Sequence, residues 1–220
     1  MYNLPESCQI PELDKIYKKY FGLFTNKVFV EVGAYDGEST SNTSFLSDLG
    51  WKGYYIEPVH SNYIQCLNRH IKNNTVVSNL SIGIEEGVKT IYTNGILSSL
   101  DKEHAELGVS KFNYPYYTEN ICYQLRMDTY LKNYNIPYNF DLFVVDVEGK
   151  EEEIFYSFDL NKWNPKMMIV ELVDDHEYFQ ENKNVIQRVK NLREFINNFN
   201  YKQIYRDNIN TIFIKNDFIV

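Results

Sequence analysis

The chain predicts a doubly wound α/β domain, a mostly parallel sheet flanked by helices, and three observations predict it. Short β-branched runs (VFVEVGA, GYYIEP, DLFVVDVEG, KMMIVELV) alternate with segments of helical apolar spacing. The first of these runs ends in a glycine turn, GAYDG. The chain closes on YKQIYR and NTIFIKN joined by Asp207 to Asn210, the pattern of an antiparallel hairpin. At 220 residues and 44% apolar, one hydrophobic core is expected.

Taken in order, Pro11 to Phe24 spaces Leu13, Ile16, Tyr17, Tyr20 and Phe21 as one helical face, so residues 1–26 read as a helical extension. Val28 to Ala34 is the first strand and Ser41 to Leu49, with Phe45, Leu46 and Leu49 on one face, the helix after it. Gly50 stops that helix, Gly53 to Pro58 is the second strand, and His60 to Lys72 the second helix of the βα alternation. Thr75 to Gly83 reads as a third strand and Val88 to Thr93 as a further short one, both assigned to the parallel sheet. Asn94 to Asn120 reads as irregular, a long loop of the kind that carries function. Order returns at CYQLRMDTYLKNY, then the strand Asp141 to Gly149, a helix Glu151 to Phe158, the strand Lys166 to Val173 and a helix Val185 to Phe199.

A net charge of −8 argues against a nucleic-acid partner, which needs clustered Lys and Arg. No apolar run approaches the roughly 20 residues of a membrane span, and the start, MYNLPESCQIPELDK, lacks the pattern of a secretory signal. A cytoplasmic setting is expected. Cys8, Cys66 and Cys122 are widely spaced with no ligand cluster, so free thiols are expected.

Ligands of open α/β sheets bind beyond the carboxyl ends of the strands, and polar residues gather there: Glu31, the turn Gly33, Ala34, Tyr35, Asp36 and Gly37, Glu57 with Pro58, Asp146, Glu148 and Glu171. Buried Glu31 needs a cation or several donors. Glu57 stands 20 residues beyond Gly37, where an acidic side chain accepts hydrogen bonds from a ribose. A dinucleotide site wants GxGxxG and a helix N-terminus clear of negative charge. Here the turn is GxxxG with Glu31 and Asp36 beside it, which would repel pyrophosphate and suits S-adenosylmethionine, a cationic nucleoside without phosphate.

The blocks VEVGAYDGESTSNTSFL, GWKGYYIEPVHSNYIQCLNRH, LRMDTYL, FDLFVVDVEGKEEEIF and MIVEL, from Val28 to Val173, resemble in order those of the FkbM family of methyltransferases. The D-x-E-G-x-E block at Asp146 is the specific one. The resemblance implies a Rossmann-like class I methyltransferase domain over 27–220, with a seven-stranded sheet whose last strand is antiparallel. It further implies S-adenosylmethionine as donor and O-methylation of a small molecule or glycan. By position, Glu31, Gly33 and Gly37 would border the methionine part, Glu57 the ribose, and Asn79, Leu80 and Ser81 the adenine. Two departures stand out: Glu31 replaces the family's usual Asp, and Val145 stands where Lys is frequent.

Such a reaction needs an oxygen aligned with the S–CH₃ bond, worth about 7–11 kcal/mol, and a base, worth about 10²–10⁴-fold in rate. Asp146 and Glu148 alternate around Val147, so in a continuing strand both face one side, and either is a candidate base, with Glu171 beside them. Each has a structural reading as well, as a cap or loop brace. Asn42 and Thr43 either donate to the ligand or cap the first helix, and Ser98 and Ser99 begin the irregular segment within reach of a ligand. His104 reads as a surface or core histidine. A divalent metal is compatible with the three carboxylates, though the sequence does not establish one. Tyr114, Tyr116, Tyr117 and Tyr123 offer stacking faces for a sugar, the preferred acceptor. The competing readings are an NAD-dependent oxidoreductase, disfavoured by the same acidic turn, and a non-catalytic binding module on the same fold.

Overall fold

A computed structural model of the chain describes residues 8–22, 26–111, 115–179 and 182–218. Ten strands and eight helices alternate along them: α1 (Leu13–Phe21), β1 (Val28–Val32), α2 (Ser44–Asp48), β2 (Lys52–Ile56), α3 (His60–Arg69), β3 (Thr75–Ser78), β4 (Ser81–Ile82) and β5 (Gly87–Thr93). They continue as α4 (Lys102–Lys111), β6 (Thr118–Leu125), α5 (Met127–Asn133), β7 (Leu142–Val145), α6 (Glu151–Phe155), α7 (Leu160–Trp163), β8 (Met167–Glu171), α8 (Lys183–Asn197), β9 (Tyr201–Arg206) and β10 (Asn210–Lys215).

Seven strands form the main sheet in the order β3-β2-β1-β7-β8-β10-β9. All neighbours pair parallel except those of β10, which runs antiparallel to both β8 and β9 and so closes the expected C-terminal hairpin. Every central strand is apolar on both faces because both are covered. Val30, Val32, Phe143, Val145, Met168 and Phe213 face one core, packed by α5, α6, α7 and α8. Phe29, Tyr55, Leu142, Val144, Ile169 and Ile212 face the other, packed by α1 and α2. In α1, Leu13, Tyr17 and Phe21 are buried, Phe21 standing edge-on to Trp51 at 5.3 Å, so the N-terminal helix is built into the second core. Among the described residues no helix is long and apolar enough to cross a membrane.

Three sequence expectations are corrected. Thr75 to Gly83 is not one strand: β3 ends at Ser78, and Ser81–Ile82 belongs to a second sheet of order β4-β6-β5. Val88 to Thr93 likewise leaves the parallel sheet, because β5 pairs antiparallel with β6 along its whole length. Alternation gives β5 and β6 one inward face (Ile91, Cys122 and Gln124 buried) and one outward (Val88, Ile121 and Tyr123 exposed), which suits an inserted flap rather than a sheet covered on both sides. The stretch read as irregular contains α4, whose weak amphipathicity hid it.

β1 and β7 are the strands between which the chain order reverses, and they come unusually close at their C-terminal ends. Gly33 sits at φ 89°, and a Cβ built there would lie 1.6 Å from the carbonyl oxygen of Asp146. Gly37, at φ 77°, instead packs against α3: its added Cβ would meet Cys66 Sγ at 2.8 Å, and its carbonyl bonds His70 Nε2 at 2.9 Å. Gly33→Ala is expected to cost about 3 kcal/mol or more, from a disfavoured φ together with an unavoidable clash. Thermal melts of purified Gly33→Ala and Gly50→Ala test this. Gly50, also at positive φ, meets nothing within 4 Å, so its variant should lose less.

Candidate active site

A cleft opens at the C-terminal ends of β1, β2 and β7. The main sheet supplies Gly33, Tyr35, Glu57, Pro58, Asp146 and Glu148, and the small sheet closes over them with Ser81, Ile82, Ile91 and Gln124. Of the cofactor residues expected from sequence, Gly33, Tyr35, Glu57, Pro58, Ser81, Ser98 and Asp146 line this cleft. Glu31, Ala34, Asp36, Gly37, Asn42, Thr43, Asn79 and Leu80 do not, and the structure gives most of these another task.

Glu57 closes β2 and is almost fully buried. Its two oxygens accept from the backbone N–H groups of Tyr35, at 2.9 Å, and Val59, at 2.7 Å. These bonds pin the β1–α2 turn, where Tyr35 is left-handed at φ 49°, to the start of α3. Burial raises the Glu57 carboxyl to about 7 against the pull of those amides. Asn79 donates to the carbonyls of Glu57 and Pro58, so it braces the turn from behind.

Glu31 lies beneath the cleft rather than in it. Its carboxylate accepts from the Thr43 hydroxyl, which also contacts Tyr55, itself bonded to Ser47. No cation is among its partners in this hydroxyl network, and burial raises it to about 7. Asp36 turns away as well, accepting from the Glu38 and Ser39 amides and the Ser39 hydroxyl. The negative charge expected from Glu31 and Asp36 is therefore supplied by other groups. Asn42 ties down the N-terminal segment, its carbonyl accepting from Tyr17 Oη and its amide donating to Gln9, which lines the cleft.

Asp146, Glu148 and Glu171 come together: one carboxylate oxygen from each lies within 4.8 Å of the others. The expected alternation in a continuing strand is not how this arises. β7 ends at Val145, and Glu148 reaches the cluster from a bend at φ 58°. Asp146 follows the last residue of β7 and Glu171 ends the neighbouring β8, one step beyond the pair Val145 and Val170, and Glu171 is not among the cleft's lining residues. Burial and the neighbouring carboxylates raise both, Glu171 the further. Glu148 instead bonds His104 Nε2 at 2.8 Å, and Glu151 braces the bend by accepting from the Val147 and Gly149 amides. Three hard oxygen donors could serve a divalent cation, but one of them, Glu148, is already engaged by a histidine.

The opposite wall comes from residues 91–100. Ile91, Ile96 and Leu100 are apolar, and Ser98 closes a tight turn by donating to the Gly95 carbonyl at 2.6 Å. Sequence reading missed Gln9, Thr40, Asn62, Ile82, Ile91 and Gln124, since nothing local marks an isoleucine or an amide as cleft-facing until the small sheet is placed. Tyr116 is exposed ahead of β6, Tyr123 is exposed on the far side of that sheet, Tyr117 packs edge-on to Tyr92 at 5.5 Å, and Tyr114 lies outside the described residues. None of the described tyrosines of the expected sugar platform lines the cleft, because Tyr123 alternates with the inward Cys122 and Gln124.

Four carboxylates (Glu57, Asp146, Glu148 and Glu153) line the cleft beside one cation, Lys150, which is itself paired to Glu153 at 2.7 Å. With strand order 3-2-1 turning outward from the central pair and β10 reversed, that is the frame of the class I methyltransferases, and the FkbM methyltransferase domain matches residues 31–203. The chain belongs to that family. As an FkbM methyltransferase it is similar in structure to an O-methyltransferase from Bacillus cereus solved in complex with SAH, with a TM-score of 0.54 and 14% identity over 97% of this chain and 85% of that one. A fibrillarin/Nop5p complex aligns at a TM-score of 0.43 and 11% identity over 86% and 73%, a likeness too low to carry an argument. At these identities the likeness is one of fold. No curated protein matches the chain in sequence.

The raised carboxyls of Glu31 and Glu57 have a measurable consequence. Between the ordinary value of 4.5 and about 7 the folded chain holds protons that the unfolded chain has released, so stability falls as pH rises through that window. His104, held above its usual value, works in the same sense, and His70, lowered by burial, in the opposite one. Asp48 and Asp128, both lowered, act at more acid pH. The melting temperature of the ligand-free FkbM methyltransferase is expected to drop by several degrees between about pH 5 and about pH 8, and Glu57→Gln to flatten that slope; calorimetric scans across the range check both.

Proposed function

We propose that this methyltransferase uses S-adenosylmethionine to methylate a hydroxyl oxygen of a small molecule or glycan, a sugar before other acceptors. The observation that carries the reading is the charge of the cleft at the strand switch. Its lining carboxylates oppose a pyrophosphate and suit a ligand with a cationic sulfur and amino group. When bound, S-adenosylmethionine supplies an electrophilic methyl group.

The chain's own residues then have three tasks. Glu57 has acceptor capacity beyond its two backbone bonds and the Asn62 side chain beside it, so it can accept from a ribose hydroxyl. Gly33 and Tyr35 present backbone beside it, and Ile82, Ile91 and Ile96 offer an apolar slot for an aromatic base. Asp146 and Glu148 face the reacting end, where one of the Asp146, Glu148 and Glu171 carboxylates takes the proton of the acceptor hydroxyl. Gln9, Thr40, Asn62, Ser98 and Gln124 line the cleft with amides and hydroxyls, which match a polyhydroxylated ring better than an aliphatic chain. The dinucleotide and non-catalytic readings find no comparable feature.

Isothermal titration with S-adenosylhomocysteine tests the cofactor assignment. The wild-type protein is expected to bind it, and Glu57→Ala to weaken that binding about tenfold or more, the worth of charge-assisted hydrogen bonds. Absence of binding by folded wild-type protein sinks the assignment, and stabilisation by NAD in its place would favour the oxidoreductase.

A further inference from the structure

We infer that His104, on the inserted helix α4, is the positioning residue for the carboxylate that receives the acceptor's proton, and that this carboxylate is Glu148. The inference rests on the methyltransferase reading above and deepens it by dividing labour within the carboxylate cluster.

Glu148 occupies a backbone conformation that side-chain-bearing residues rarely adopt, φ 58°, so its place must be enforced from outside. The enforcement comes from the segment between β5 and β6. The Ser99 hydroxyl donates to the Glu148 carbonyl at 2.6 Å, and His104 Nε2 lies 2.8 Å from Glu148 Oε2. The next residue, Gly149, leaves room for the ring: a Cβ there would stand 3.0 Å from His104 Nδ1. The ring itself is held, since His104 is only 6% exposed and stacks on Phe179 at 5.4 Å. Backbone, side chain and packing thus converge on one glutamate.

The same contacts select Glu148 from its neighbours. Burial and the neighbouring carboxylates raise both Asp146 and Glu171, and Glu171 does not line the cleft. Glu148 lines it, is 16% exposed, and gives one oxygen to His104 while the other is left for a ligand. Burial alone would lower the pKa of His104; the Glu148 hydrogen bond, with the charges of Glu148, Glu151 and Asp101, outweighs it. Among the described residues the charged groups around the ring are Glu148 and Lys150 on the β7–α6 bend, Glu151, Glu152 and Glu153 on α6, with Glu153 paired to Lys150, and Asp101 ahead of α4, with Arg188 of α8 paired to it. In the step this implies, the acceptor oxygen forms its bond to the methyl carbon as the carbon–sulfur bond breaks, the bonding pair stays on sulfur, and the hydroxyl proton passes to a Glu148 oxygen. His104 keeps that carboxylate aimed.

The deciding measurement needs no acceptor: the pH titration of the His104 ring by ¹⁵N-edited NMR in wild type and in Glu148→Gln. The inference expects the wild-type ring to titrate above an ordinary histidine and the variant to fall by about one pH unit or more, with Glu151→Gln moving it less. An unshifted ring, or one indifferent to Glu148→Gln, overturns the pairing. Turnover is then read as S-adenosylhomocysteine release with pooled hexoses, methyl glycosides and polyols. His104→Ala is expected to lower kcat about 100-fold with little change in KM for S-adenosylmethionine, and His104→Gln, which keeps a donor, to recover most of the loss. Equal turnover in wild type and His104→Ala overturns the role even where the pairing stands. Titration with S-adenosylhomocysteine keeps the failures apart: absence of binding by wild type removes the parent reading, whereas normal binding with an indifferent His104 removes only this one.

Discussion

The closeness of β1 and β7 at their carboxyl ends is the constraint on which the rest of the structure depends. Gly33 has no side chain to hold the strands apart, so its Cα rests against the Asp146 carbonyl while its amide bonds back to Ile56. The chain must then diverge, β1 into the α2 side and β7 into the α6 side, and the divergence opens the cleft. Because the strands stay paired up to that point, the residues just after them, Tyr35 and Asp146 to Glu148, are delivered to the cleft by backbone geometry.

A second physical theme is carboxylate desolvation. Glu31, Glu57 and Asp146 all end or nearly end central strands, where burial opposes charge. Each is handled differently. Glu31 is met by a hydroxyl network and Glu57 by two backbone amides, while Asp146 lies beside the carboxylates of Glu148 and Glu171. A site that holds several acids short of full ionisation gains by binding a cation, since the ligand's charge replaces solvation lost on folding. The fold stores this as a modest instability at neutral pH rather than as a rigid binding contact.

The inserted β4-β6-β5 sheet and α4 turn an open strand edge into an enclosed site. Ile82, Ile91 and Gln124 form a wall, and α4 carries His104 to Glu148 across 44 residues of sequence. Neither contribution belongs to the alternating βα frame. That is why the segment resists a local reading: its strands are half-exposed, its helix is barely amphipathic, and its contacts are with residues far along the chain.

How much was legible follows from how local each signal is. Alternating apolar runs and helices determine the parallel sheet, and the GAYDG turn with Glu57 some 20 residues on marks one rim of the cleft, because strand burial and turn geometry are written within about ten residues. The family blocks are equally local. Side-chain direction is not. Glu31 lies just before the predicted turn and Asp36 within it, yet both point away from the cleft, Asn42 and Asn79 brace the chain, and the tyrosines turn outward. Sequence alone determined the class of fold, the rim on which the site lies and the acidity of that rim. Tertiary structure decided which acids face the ligand and gave Glu148 its histidine, because a hydrogen bond between distant segments depends on how the insertion folds back and leaves no period or motif to read.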